Sequence, residues 1–447
     1  MGEHSQLALE SGSRVGVIGG GPAGSFFSYF LLQMAQRVGI YLQVDIYESR
    51  DFSIPGPAGC NMCAGVISES LVQTLSVEGI ILPPAVVQRG IDSYVMHTEA
   101  ENATIHTPLD EMRIATVYRG RGPRGIQEVK GKSFDGHLLE LALDMGANLV
   151  RCRVKEITWN AGRPQVEAKE GEPQVYDLLV GAIGVNSPSL ALFENLGIRY
   201  RRPKVRNTFI TELSLGSAAV NNKLGSSMHV FLLNLDGLDF AAFIPKGDYV
   251  TMCLIGDIDR KLIDSFLEHE AVEASLPEVK AATSDACHCS PKASLGDALN
   301  PFADRVVLIG DCGVARLNKD GIGSAYRTAK AAATTAIFEG VSSDDFRKHY
   351  WPVCRSISHD NRFGTLVFAI VNVMKKMQFL TSGVLRMAKK EQTKQGKQRR
   401  MSMVLWDVFT GSANYRDVFL RTLHPAFLSS FMWQASIGAL LAKSGNR

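Results

Sequence analysis

A chain of 447 residues, 45% of them apolar, is long enough for two or three domains with sizeable cores. Its formal net charge of +3 gives no general case for nucleic-acid binding. Eight scattered cysteines do not suggest the framework of a secreted disulfide protein, and the expected location is the cytoplasm with reduced thiols. Met1 to Ser13 is polar and lacks an apolar signal core, and no interior apolar run reaches a comfortable membrane span.

Val15, Val17 and Ile18 read as a short buried strand. Gly19, Gly21 and Gly24 follow in G-x-G-x-x-G spacing, then Ser25 to Ala35 reads as an apolar helix. Gly19 allows the tight turn, Gly21 lets backbone approach a phosphate, and Gly24 lets helix and strand pack closely. Helix N-terminal amides then meet the anion. Val44, Ile46 and Tyr47 form the next strand, which ends at Glu48, where a carboxylate can accept from a ribose diol.

A loop rich in Pro and Gly runs from Asp51 to Cys60, and Ser68 is placed to cap a helix over Glu69 to Leu75. Ile91 to Val117 alternates as strands do. Ser133 opens a helical pattern through Leu143, and Gly146 to Val154 reads as helix end, turn and strand. Asp177 to Gly184 is another buried strand ending at glycine. Thr208 to Ile255 suggests an antiparallel sheet, and Leu262 to Glu273 a helix. Arg305 to Asp311 is again strand then glycine turn, Gly321 to Phe338 is an alanine-rich helix, and the chain from Asp344 onward is helical. No repeat has a fixed period. Nucleotide-binding pieces at three separated points, with a mostly β module inserted, give the layout of a discontinuous flavin-binding fold rather than a plain NAD dehydrogenase.

With those pieces in hand, residues 14 to 340 resemble the FAD-dependent oxidoreductases of the geranylgeranyl reductase family, within the wider flavoprotein fold of aromatic-ring hydroxylases. Three motifs carry the resemblance: Gly19 to Gly24 with Glu48, Asp177 to Ser187, and Gly310-Asp311 followed by Asp320 to Gly323. It implies FAD, with the first motif on its ADP half, Asp311 on the ribitol, and the later glycines beside the flavin ring. The N-terminal charge of the Gly321 helix would favour anionic reduced flavin; a helix capped by Asp320 is the plainer reading. The fold expected is α/β: a discontinuous Rossmann-like FAD-binding domain (14–90, 125–195 and 285–340), an inserted, mainly antiparallel β substrate domain (91–124 and 196–284), and a helical C-terminal region (341–447).

The cofactor-binding set is Gly19, Gly21, Pro22, Ala23, Gly24, Glu48, Arg119, Val154, Gly184, Asp311, Gly321, Ile322 and Gly323. Two departures stand out. Hydroxylases usually carry Asp-Gly in the second motif, and here Ile183 precedes Gly184. The family tends to carry Arg three residues before Phe134-Asp135, and here Gly131 stands there, leaving Lys130, Lys132, Arg119 or Arg124 for that task.

Cys63 matches the family's cysteine near the flavin, and by that likeness it is the catalytic candidate: a proton donor, a pocket wall or a tuner of the flavin. Cys60 and Cys63, with Cys287 and Cys289, also allow a redox pair, or a four-thiolate metal site if they converge. Cys152, Cys253, Cys312 and Cys354 read as buried small hydrophobes. His97 and His229 read as structural, and Arg316, Asn318 and Lys319 as either active-site or solvated-loop residues. Apolar blocks at Leu366 to Met374 and Phe379 to Met387 precede a run from Lys389 to Arg400 with six basic residues and one acid. The segment Pro425 to Ala442 lacks charge for eighteen residues. These suit either a peripheral lipid interface or a packed helical subdomain. The resemblance implies reduction of carbon–carbon double bonds in an isoprenoid or other lipid, with hydride from reduced flavin and NAD(P)H or ferredoxin as donor. A flavin monooxygenase and a quinone-linked electron carrier are the alternatives.

Overall fold

The computed structural model describes residues 7–60, 63–99, 101–107, 114–124, 131–284, 286–393 and 399–444. Lys130 and part of the basic run lie outside them. Two compact units are present, each made of three chain segments: 1–61, 119–205 and 292–361 in the first, and 62–118, 206–291 and 362–447 in the second.

The first unit is built on a six-stranded sheet. β1 (Arg14–Ile18) lies at its centre, between β2 (Gln43–Tyr47) and the strand Leu178–Gly181. Asn148–Val150 adds beside β2 and Val306–Leu308 beside Leu178–Gly181, all parallel; only the edge strand Phe302–Ala303 runs antiparallel. Val15, Val17, Leu178, Leu179 and Val180 are all fully buried, as a parallel sheet covered on both faces requires.

Helix α1 (Pro22–Val38) begins three residues earlier than its apolar pattern suggests. Pro22 at its start has the helical φ built in and no N–H to satisfy, so it favours an early start. Gly39 ends it in the left-handed region (φ 74°). α1 packs on the helix Gly321–Phe338, with Phe26 and Phe30 meeting Tyr326 edge to face at 5.8 and 5.6 Å.

The second unit is built on a long sheet whose main path runs Cys287–Cys289, Val205–Ser214, Tyr249–Gly256, Leu238–Lys246, Ser227–Leu232, Ser93–Thr98, Asn102–His106. It is antiparallel except where Ser227–Leu232 lies parallel to Ser93–Thr98. One face carries Phe209, Leu213, Phe231, Phe243, Met252 and Leu254 into a core with Leu262, Phe266 and Val272. The helix expected over Leu262 to Glu273 is instead two, Arg260–Leu267 and Glu270–Ser275. The His269 side chain accepts from the Ala271 amide and starts the second one.

The C-terminal chain is helical over Trp351–Lys375, Gln378–Gln392, Arg400–Thr410, Tyr415–Thr422 and Pro425–Ser444. Gly383 sits where Gln378–Gln392 crosses Pro425–Ser444, and a methyl group there would meet Ala435 Cα at 2.9 Å. Trp406, 1% exposed, stacks edge-on to Tyr94 at 5.1 Å, and Phe368 stacks on Phe240 at 6.1 Å. The helical segment from residue 362 onward is therefore packed on the β module. Among the described residues no single helix is long and apolar enough to cross a membrane; the bent pair Ser343–Lys375 and Gln378–Gln392 passes on length and composition together.

Candidate functional site

The glycine turn between β1 and α1 is shaped for a bound anion. Gly19 has φ 108°, and a Cβ on it would lie 2.5 Å from the Ala182 carbonyl. A Cβ on Gly24 would lie 1.9 Å from the Gly19 carbonyl, so no side chain fits at either position. Gly21 is the N-cap and offers no side chain to the first amides of α1. Ala23 and Gly24 follow Pro22, and their N–H groups have no partner among the described residues. Buried amides of this kind fit a pyrophosphate.

Glu48, at the end of β2 and 5% exposed, accepts from the Gly20 amide at 3.1 Å through Oε2. Its Oε1 accepts from the Arg50 amide and Nε at 2.9 and 3.3 Å. The carboxylate is thus held beside the turn with acceptor capacity left over.

The later motifs of the first unit gather a second polar group. Arg119 grips the fully buried Asp135 through two bonds, Nε to Oδ1 at 2.6 Å and Nη2 to Oδ2 at 2.9 Å. Asp311 lies in the turn after Val306–Leu308. Burial pushes its carboxyl up, and the nearby Arg119 pulls it back. A Cβ on Gly321 would stand 3.6 Å from the Asp311 carboxylate. Of the four basic residues weighed for the place near Phe134-Asp135, Arg119 is the one beside Asp311. Lys132 is spent on an exposed ion pair with Glu140, and Arg124 backs the Gly56 turn; Lys130 lies outside the described residues.

Asp320 does cap the Gly321 helix, in the left-handed region at φ 55°, accepting from Gly323 N at 3.1 Å. The helix is no surface element, since Ile322, Gly323, Ser324, Ala325 and Tyr326 are all buried. Its amides at Gly321 and Ile322 keep no partner among the described residues and suit an electron-rich ligand edge. Gly184 has φ 64° with open space around it, and Val154 lies in the buried core. Arg316 does not sit in a solvated loop: it is buried between Asp320 and Asp360, 3.7 and 3.6 Å away. His97 and His229 are structural, paired at 3.1 Å and buried.

The cysteines divide between the units. Cys60 belongs to the first, and Cys63, Cys287 and Cys289 to the second. No disulfide forms, and no group of three or more His, Cys, Asp or Glu among the described residues is set to hold a metal. Cys253, Cys312 and Cys354 are buried as expected. Cys152 is only half-buried, because it stands in the bend between two strands. In the second unit Cys63 accepts from the Gly65 amide at 3.4 Å. Cys253 is the thiol around which Cys63 and Cys289 gather, and burial pushes it up to about 12.

The sequence reading missed the polar groups beside those thiols. Lys246, 1% exposed, lies 3.5 Å from Glu212, and Glu212 Oε2 accepts from Thr251 Oγ1 at 2.7 Å. Each residue occupies an ordinary strand position, and only the alternation that buries Ile210 and Ile244 on the same face signals that these charges point inward.

No family model and no curated sequence matches the chain. Solved structures share its fold. A geranylgeranyl bacteriochlorophyll reductase-like protein from Thermoplasma acidophilum aligns with a TM-score of 0.61 at 13% identity, over 95% of this chain and 100% of its own. The halogenase PltM, solved with phloroglucinol and FAD, aligns at 0.56 and 13%, over 97% and 93%. PqsL, a probable FAD-dependent monooxygenase from Pseudomonas aeruginosa, aligns at 0.55 and 15%, over 81% and 97%. The chain has the mixed α/β fold of these proteins.

Proposed function

We propose that this protein is an FAD-dependent oxidoreductase that reduces carbon–carbon double bonds of a hydrophobic substrate, an isoprenoid or another lipid. The observation that carries the cofactor is the Gly19–Gly24 turn, whose close contacts exclude a side chain at Gly19 and Gly24 and which leads into amides at Ala23 and Gly24 that keep no partner among the described residues. The amides of Ala23 and Gly24 bind the pyrophosphate, Glu48 the adenosine ribose and Asp311 the ribityl chain. The partners that fix Glu48 in place support that assignment. Arg119 holds Asp135 and adds positive potential near Asp311. When bound, the reduced flavin supplies hydride. The amides of Gly321 and Ile322 hold the electron-rich edge of its ring, and Cys63 or water supplies the proton.

The fold is shared with reductase-like, halogenase and monooxygenase structures, so hydroxylation is the competing reading. Ile183 in place of the hydroxylase acid favours reduction. Product analysis of lipid extracts under air and under nitrogen separates the two. A reduced alkene formed without oxygen supports the first, and a product that requires oxygen overturns it. Reduction of the bound flavin without oxygen, by NAD(P)H or by reduced ferredoxin, identifies the donor.

The substrate reaches the protein from a lipid surface. The exposed apolar residues Ile370, Val373, Met377 and Phe379, with Leu428, Met432 and Trp433, support this. Val373→Glu with Trp433→Glu should reduce pelleting with anionic vesicles; unchanged pelleting rules the surface out.

A further inference from the structure

The second unit carries a buried polar site on the face of its long sheet opposite the Phe231 core. Strand register fixes the rows of that face. Cys289, Ile210, Cys253 and Ala242 stand side by side, and Cys287, Glu212, Thr251 and Ile244 form the next row. Lys246 follows Ile244 by two residues and points the same way.

Three features of this patch do not fit a plain core. First, Lys246 is 1% exposed, yet among the described residues its ammonium has one hydrogen-bond acceptor, Glu212 Oε1 at 3.5 Å. An ammonium carries three donors. Second, Tyr118 is 6% exposed and its hydroxyl has no partner among the described residues. Burial pushes that hydroxyl up, and the Glu212 charge beside it adds to the effect. Lys246 Nζ lies 5.1 Å from the centre of the Tyr118 ring. Third, the backbone after Cys63 closes over the ammonium: a Cβ on Gly65 would come within 3.0 Å of Nζ. A buried hydroxyl without a partner is costly, and phenylalanine would avoid that cost. The patch therefore has donors in excess of acceptors, at the edge of an apolar wall of Ile210, Ala242 and Ile244.

We infer that Lys246 Nζ and Tyr118 Oη anchor the carbonyl oxygen of a neutral, lipophilic ligand on this face of the sheet. Lys246 and Glu212 already cancel each other, so a carbonyl adds an acceptor without adding a charge. A carboxylate or phosphate would leave net negative charge out of water. That this ligand is the substrate rests on the oxidoreductase reading above; the binding itself does not.

Equilibrium dialysis of the full chain, as purified, tests this with three probes of one shape. Duroquinone has two carbonyls and a fully substituted ring that gives the nearby thiols no position to add. Durene is the same ring without oxygen, and 2,4,6-trimethylbenzoate carries a charge. Wild type should bind duroquinone at least about tenfold more tightly than durene, the worth of one good hydrogen bond. Tyr118→Phe should erase about that factor with no fall in Tm, because the hydroxyl it removes has no partner among the described residues. Lys246→Met combined with Glu212→Gln, which keeps the pair neutral, should erase the preference altogether. The inference fails if duroquinone and durene bind alike, if neither binds, if the benzoate binds best, or if Tyr118→Phe keeps the wild-type preference. Flavin content measured on the same samples keeps the two proposals apart: a chain without flavin that still prefers duroquinone overturns the oxidoreductase reading and leaves the anchor standing.

Discussion

In the first unit, Glu48 and Asp311 stand at the ends of short parallel strands, and the helix starts at Ala23, Gly24, Gly321 and Ile322 keep amides without a partner among the described residues. In the second, Lys246 and Glu212 project from long antiparallel strands, and Tyr118 reaches them from a separate segment. One unit therefore offers main-chain donors at strand ends, which recognise any dinucleotide of the right shape. The other offers side chains on a sheet face, which a few substitutions can refit to another ligand. Fold-level likeness reaches the first kind of site and stops at the second.

The largest expected effect breaks the first unit's side of that contrast. Gly24→Val places carbon inside the Gly19 carbonyl, so the purified protein should lose its flavin absorbance. Retention of bound flavin would remove the turn from the binding site. Arg119→Met comes next, because it strands Asp135, fully buried, without its bidentate partner. Breaking such a pair costs about 3–5 kcal/mol, read as a lower urea midpoint; the charge-free pair Arg119→Met with Asp135→Leu should recover much of it.

The second unit answers to pH. Burial lowers His97 and His229 from 6.5 to about 4 each, and they share one bond at 3.1 Å that needs a neutral ring as acceptor. The unfolded chain takes up these protons more readily than the folded one. Stability should therefore be full above about pH 6.5 and fall as the pH drops toward 4, by about 3 kcal/mol for each ring at full protonation. Urea unfolding across that window checks it; a flat profile would mean that the pair is open to solvent. The smallest effect is local. Ser68→Ala removes the cap whose hydroxyl accepts from Leu71 N at 3.3 Å, at a cost of about 1 kcal/mol.

Much of the first unit was legible. The Gly19–Gly24 spacing, Glu48 after β2, the Ser133 cap and the helix Gly321–Phe338 all rest on rules that act over a few residues, as does the Ser68 cap in the second unit. The C-terminal helices were legible as helices. Their packing against the strands of the β module, through Trp406 on Tyr94 and Phe368 on Phe240, was not. Nor was the choice of Arg119 over Lys132, since both precede Asp135 and only one of them reaches it.

By itself, the sequence determined where backbone would be glycine-shaped and which stretches would be capped helices, to within a few residues at their starts, because capping, φ limits and apolar period are local physics. Only the tertiary structure decided that Cys60 falls in one unit and Cys63 in the other, that Cys63 and Cys289 come near Cys253, and that Lys246 is buried with Glu212. Those are facts of register and of which strands become neighbours. Both are set by long-range pairing, and no window of the chain contains them.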